Sequence, residues 1–241
     1  MGLERQYLDA VMEACLSERG VSELSPSVLA TAAVAVLPVE GASISMIQPK
    51  LRVPLAWSSP DAEIAERHQT TLGDGPCLTA VRRAEPVLAD ADAVVRCWPL
   101  YYAEIERRTP FRSVVALPLG VGDAAPFAAL DLHSERHDLS AVLDLDDATS
   151  VAAVVARLLA GLLDSLYTGD GRTLPSWFDD DVASDRVAVW SAVGMLLAHS
   201  GLDDVGALAR LRAYAYSHDL DLDETAAQLL DRDIDVEDVL T

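Results

Sequence analysis

The sequence predicts an α+β fold: an antiparallel sheet flanked by helices, followed by an all-α unit of three helices. Three observations carry this. The strand-like runs are mostly joined by short turns and not by the alternating crossover helices of a parallel sheet. Helix-period segments stand before, between and after those runs. Beyond a polar stretch at residues 168–181, only helical patterns remain.

Taken in order, residues 3–18 form a helix with Leu8, Val11, Met12 and Cys15 on one stripe. Ser25 or Ser27 caps a second helix that runs to Leu37, and Pro38 follows its end. Ala42 to Ile47 alternates like a half-buried strand, Gln48-Pro49-Lys50 is a turn, and Leu51 to Trp57 returns as a hairpin partner. A short helix covers residues 62–68. Gly73-Asp74-Gly75-Pro76 is a loop leading into a helix from Cys77 to Arg83, with Pro76 suited to its first turn. A short strand at 86–88 and a helix at 98–107 precede the strand from Arg112 to Leu119. A turn at 120–126 and a strand at 127–133 lead to a long helix at 146–167. Gly169, Gly171, Pro175 and Asp179-Asp180-Asp181 mark a linker. Three helices follow, at 182–198, from Asp203 or Asp204 to Ser217, and from Asp221 or Asp223 to about Leu230. An acidic tail closes the chain. The division expected is an N-terminal helix (1–21), a mixed domain (22–167), a linker (168–181), a three-helix domain (182–232) and a tail (233–241).

The 241 residues suffice for two modest domains. With 18 basic against 39 acidic residues the formal net charge is −21, which argues against broad non-specific nucleic-acid binding. The three cysteines form no C-x-x-C pair, so neither a structural zinc site nor a disulfide framework is signalled. A reduced cytoplasm is the expected compartment. The N-terminus lacks a signal-peptide core, and the apolar run 149–163 is too short to span a bilayer, so no membrane association is expected.

The stretch Arg186 to Leu196, with Ala192-Val193-Gly194 at its centre, then Gly201, Ala207-Leu208-x-x-Leu211-Arg212-x-x-Ala215, and Leu222 with Ala226, resembles the ANTAR domain over residues 182–232. Upstream, Gly75-Pro76-Cys77-x-x-Ala80, Pro86-Val87-x-x-Asp90, Trp98-Pro99 and Arg112-Ser113-Val114-x-Ala116-x-Pro118-Leu119 resemble the GAF domains joined to ANTAR in actinobacterial proteins. The resemblance implies a GAF-like sensor controlling an ANTAR output domain. Such an output domain binds paired stem-loops in nascent RNA, usually as a dimer, and antiterminates transcription. The RNA-binding residues it carries over are Arg186, Ala192, Gly194, Arg210, Arg212 and Ala215.

Physically, an Ala-x-Gly pair clears one face of a helix, for close approach either of another helix or of an RNA loop. Arg210 and Arg212 suit phosphate, or else pair with local carboxylates. Tyr214 and Tyr216 suit stacking on unpaired bases, or core and interface roles. This sequence departs from the family at Val193, where a lysine is usual, at Leu208, where phenylalanine is usual, and at Trp190, usually polar. Residues 181–241 hold 13 acids against four arginines, a net of −9. A protein-interaction regulator whose ANTAR domain no longer binds RNA is therefore the alternative.

In the sensor, Met46, Trp57, Cys77, Trp98, Tyr102 and Val115 are the pocket candidates for a small-molecule ligand, joined by Ile44, Leu78 and Tyr101. The same residues also suit a plain core. Cys77 lies near a helix start, where a thiolate would be stabilised, and equally suits a small buried filler. His133 and His137 lie across a loop and are not expected to hold metal. Asp144, Asp146 and Asp147 suit a helix start. No nucleophile–base–orienter set stands out, so no catalytic residue is named and the chain is not expected to be an enzyme. The helix at 146–167 is apolar on more than one face, which predicts a homodimer through it unless the N-terminal helix alone covers it.

Overall fold

The computed structural model describes residues 2–16, 23–47, 52–168 and 180–241. The predicted turn at 48–50 and most of the linker lie outside these residues. In chain order, α1 (Leu3–Cys15) and α2 (Pro26–Val36) lead to β1 (Gly41–Ile47) and β2 (Arg52–Trp57). Next come α3 (Pro60–Leu72), α4 (Pro76–Arg83), β3 (Val87–Ala89), α5 (Ala91–Cys97) and α6 (Pro99–Arg108). After them stand β4 (Ser113–Leu119), β5 (Ala128–Ser134) and α7 (Leu145–Thr168). The C-terminal region holds α8 (Asp180–His199), α9 (Asp204–Ser217), α10 (Leu222–Asp231) and α11 (Val236–Leu240).

The five strands form one antiparallel sheet in the order β2-β1-β5-β4-β3. Strand alternation gives it two faces of different character. Ala42 and Ile44 of β1, Leu130 and Leu132 of β5, and Val115, Leu117 and Leu119 of β4 turn to one side. There they pack on α1, α2 and α7 in an aliphatic core. Serine, aspartate and histidine alternate onto the other side, beneath α3–α6. The expectation of a half-buried strand at β1 is thus corrected: helices cover both faces, and the polar residues that would have faced water are enclosed.

Local chemistry explains most boundaries. Ser25 caps α2 by accepting the Val28 N–H, and Pro26 takes its first turn. Ser59 caps α3, likewise followed by proline. That helix is longer than periodicity predicts because Glu66, Gln69, Thr70 and Thr71 are buried polar residues, which mask the apolar stripe. Helix α5 escapes sequence reading for a related reason. Its N-cap residue Asp90 does not cap α5 but accepts the Ser140 N–H at 2.9 Å, across the fold.

Helix α7 is apolar and long enough, by length and composition alone, to cross a membrane. In this fold its Val151, Val155 and Leu159 are fully buried in the aliphatic core. Helix α1 lies beside it, inserting Tyr7 and Val11, with the Tyr7 hydroxyl donating to the Leu29 carbonyl at 3.0 Å. The predicted stripe on α1 is rotated: Leu8 and Met12 stay outside, 41% and 56% exposed.

The C-terminal helices have their own core, formed by Val189, Ala192, Val193, Leu196, Ala207, Leu208, Leu211, Leu222, Ala226, Leu229 and Val239. Asp203 caps α9. Asp221 and Glu224 form a capping box on α10. This unit rests on the sheet domain through α3 and α6, a contact that the linker's composition did not suggest.

Candidate functional site

The enclosed face of the sheet carries a buried ionic cluster. Cross-strand pairing aligns Trp57, Ser43, Asp131 and Ala116 in one row, and Ser45 with Ala129 in the next. Arg52 enters from the start of β2, and Glu66 and Gln69 descend from α3. Arg52 donates through Nε to Ser45 Oγ at 3.0 Å, and through Nη2 to Glu66 Oε2 at 2.5 Å and Asp131 Oδ2 at 3.1 Å. The Ser43 hydroxyl donates to Glu66 Oε2 at 2.9 Å, and the Ser45 hydroxyl donates to Glu66 Oε1. Gln69 Nε2 donates to Asp131 Oδ2 at 2.6 Å, while its carbonyl accepts the Cys77 N–H. Arg52, Glu66, Gln69 and Asp131 are each at most 2% exposed.

Glycine makes this closeness possible at two points. Gly75 has φ 157°, and a Cβ there would stand 2.3 Å from Gln69 Oε1. At Gly41 a Cβ would stand 2.5 Å from the Phe111 ring, which stacks on His133 with centroids 5.1 Å apart.

Burial governs the electrostatics here. It pushes the Asp131 carboxyl up to about 6, against the pull of Arg52. It drives His133 down to about 3, with Arg52 adding to the effect, so the imidazole is neutral. Burial also raises the Cys77 thiol and the Tyr101 phenol well above their ordinary ranges. Cys77, although in the first turn of α4, is thus a protonated filler and not a thiolate.

The cluster is not saturated. Tyr101 Oη, Asp131 Oδ1 and both ring nitrogens of His133 are buried without a hydrogen-bond partner among the described residues. Such groups are costly unless something meets them. Beside Tyr101 opens a cavity of about 230 Å³, lined by Leu72, Asp74, Trp98, Pro99, Leu100 and Tyr101. Tyr101 is the residue that the cavity wall shares with the enclosed face of the sheet, and Asp74 is the carboxylate on that wall.

Of the pocket candidates, Trp57, Cys77 and Trp98 lie on this enclosed side, as does Tyr101. Val115 belongs to the opposite, aliphatic core, and Met46 shares that face by alternation. Tyr102 is half-buried, with its hydroxyl turned to Glu106. Arg52, Glu66, Gln69 and Asp131 were not anticipated. Asp131 and His133 alternate with Leu130 and Leu132, a pattern that ordinarily signals a solvated face, whereas no residue of this strand is exposed. His137 is exposed on a loop, and among the described residues no group of three or more His, Cys, Asp or Glu side chains is arranged to hold a metal ion.

The carried-over residues of the helical unit separate. Ala192 and Ala215 are fully buried. Gly194 is exposed, and a Cβ there would meet nothing within 4 Å, so helix packing does not require this glycine. Arg210 is exposed and reaches the Thr241 carbonyl at 3.2 Å. Arg212 is turned inward, toward α3. Arg186 lies in α8, its side chain outside the described residues. Tyr214 stacks on His218 at 3.9 Å, and Tyr216 is 40% exposed.

An antiparallel sheet covered on both faces by helices, with an enclosed polar cluster beneath one helical layer, is the architecture of a general sensor module. The family description "GAF domain" matches residues 18–160, more than half of the chain, and the chain belongs to the GAF domain family. Among solved structures, it is similar in fold to the GAF domain of a phosphoenolpyruvate-protein phosphotransferase from Coxiella burnetii. That match has 13% identity and a TM-score of 0.49, over 69% of this chain and 98% of that one. It is also similar to the A. aeolicus nlh2 GAF domain in an inactive state, with 14% identity and a TM-score of 0.44, over 67% and 98%. A third is the free methionine-R-sulfoxide reductase of Neisseria meningitidis in complex with its substrate, with 14% identity and a TM-score of 0.41, over 68% and 87%. No curated protein matches.

Proposed function

We propose that the chain is a non-catalytic, ligand-sensing regulator. A small molecule bound in the cavity beside Trp98 and Tyr101 sets the state of the C-terminal helical unit. The carrying observation is the cavity lined by Trp98 and Tyr101 in a GAF sensor domain, with the buried Tyr101 Oη left without a hydrogen-bond partner among the described residues. The output, on the resemblance of residues 182–232 to ANTAR, is binding of paired RNA stem-loops in transcription antitermination. The exposed Arg210 and the open surface at Gly194 support it.

The second reading, an output that contacts protein and not RNA, is favoured by Val193. It is 1% exposed, at the position where the family carries lysine. Titration with a tandem hexaloop stem-loop RNA separates the two. The RNA reading expects binding that weakens steeply as salt rises. An absence of binding at low ionic strength, in the wild type and in the Arg107→Glu, Arg108→Glu variant alike, sinks it and leaves the protein-interaction output.

Either reading uses a homodimer. The exposed Leu8 and Met12 of α1 line one surface depression with the half-buried Leu158 of α7. Sedimentation is expected to show a dimer at micromolar concentration, shifted to monomer by Met12→Glu. A wild-type monomer at that concentration excludes this interface.

A further inference from the structure

The helical unit is acidic, and the structure shows where part of that charge is directed. The α9–α10 turn carries Asp219 and Asp221, Asp223 stands in the first turn of α10, and all three face arginines of the sensor. Asp221 Oδ2 accepts from Arg67 Nη1 at 3.1 Å, and Asp223 Oδ2 lies 3.6 Å from the same nitrogen. Asp219 Oδ1 accepts from Arg107 Nη2 at 2.6 Å and also from Arg108. Between these ion pairs, the Leu222 N–H donates to Thr71 Oγ1 at 3.0 Å, and both residues are 1% exposed. Individually, exposed ion pairs contribute little. Here they surround a buried contact and act on one turn.

The same docking covers Arg212. Its guanidinium lies against Gly73, the left-handed residue that ends α3, where a Cβ would stand 2.4 Å from Nη1. Among the described residues Arg212 makes no ion pair, and its Nε has no hydrogen-bond partner. Burial lowers its pKa. An arginine desolvated without a counter-ion, in a unit rich in carboxylates, is held there by the fit of the surfaces and not by its own bonds.

We propose that this contact is an electrostatic latch. The sensor's Arg67, Arg107 and Arg108 grip the α9–α10 turn and the start of α10, and the closed state keeps Arg212 away from any phosphate-bearing partner of the helical unit. This rests on the reading of that unit as the output. Its coupling to the ligand site is direct in structure. Helix α3 holds Glu66 and Gln69 in the cluster and Arg67 and Thr71 in the latch. Helix α6 holds Tyr101 against the cavity and Arg107 and Arg108 in the latch. A ligand that changes the spacing of α3 and α6 therefore changes the footing of the turn.

Phenylglyoxal footprinting of the full chain, read by mass spectrometry at each arginine, tests the latch without RNA. In the wild type Arg212 is expected to react at least tenfold more slowly than the exposed Arg210 and Arg232. Reversing two gripping charges, Arg107→Glu with Arg108→Glu, sets like charges against Asp219 and is expected to bring Arg212 to within about twofold of Arg210. Adding Asp219→Arg to that pair is expected to restore slow reaction, which a merely misfolded variant would not do. Equal reactivity of Arg212 and Arg210 in the wild type overturns the latch. So does a slow Arg212 in the double variant, or failure of the charge swap to restore protection. Absence of RNA binding would sink only the RNA output and leave this result standing.

Discussion

Replacing Arg52 by methionine is expected to destabilise the folded chain by about 3–5 kcal/mol, the cost of breaking a buried ion pair by removing one partner. The substitution keeps comparable bulk but leaves Glu66 and Asp131, 0% and 1% exposed, without their shared cation. Two serine hydroxyls still donate to Glu66, and Gln69 still donates to Asp131. Those neutral donors do not offset two buried negative charges. Neutralising the carboxylates as well, in the triple variant Arg52→Met, Glu66→Gln, Asp131→Asn, is expected to recover most of the loss. Urea unfolding measures both. A loss below about 1 kcal/mol in the single variant would show that the cluster is wet or already protonated, contrary to its complete enclosure.

A second expected result concerns acidification, where two buried groups act in opposite directions. His133 has its folded pKa depressed to about 3 from an ordinary 6.5. Its contribution is present above pH 6.5 and is lost as pH falls toward 3, because the unfolded chain binds a proton that the folded chain refuses. Asp131 has its folded pKa raised to about 6 from 3.8. Its contribution is full below about pH 4 and is lost as pH rises through 6. Between pH 7 and pH 5, His133 removes about 2 kcal/mol and Asp131 restores about 1 kcal/mol. The His133→Phe variant, which keeps a ring against Phe111, is expected to hold its stability better than the wild type over that interval. The Asp131→Asn variant is expected to lose more. Identical pH slopes in all three proteins would place both groups in contact with water.

Much of the architecture was legible in the chain. The hairpin periods of β1–β2 and β4–β5, the caps at Ser25, Asp203 and Asp221, and the apolar length of α7 each follow from local rules. They need no knowledge of what lies opposite. The site was less legible. Aromatic and sulfur-bearing residues were the natural candidates, and Trp57, Cys77 and Trp98 do stand on its side of the sheet. Its ionic members were hidden because alternation of polar and apolar residues ordinarily signals a solvated face. In β1 and β5 the polar face is roofed by α3 and α4, so Ser43, Ser45, Asp131 and His133 became interior groups. Met46 and Val115 went the other way, because strand parity assigned them to the aliphatic core.

Arg212 shows the same division most sharply. Its place on α9, between the fully buried Leu211 and Ala215, follows from helical period alone. So does the charge of the turn that follows it. Whether that guanidinium meets solvent, phosphate or protein is not a local property. It depends on the surface that α3 and α6 present, and on three sensor arginines more than a hundred residues away in the chain. Periodicity determines elements, because backbone hydrogen bonding and side-chain spacing are local. Packing determines which faces are covered, because the free energy of a buried charge depends on every group around it.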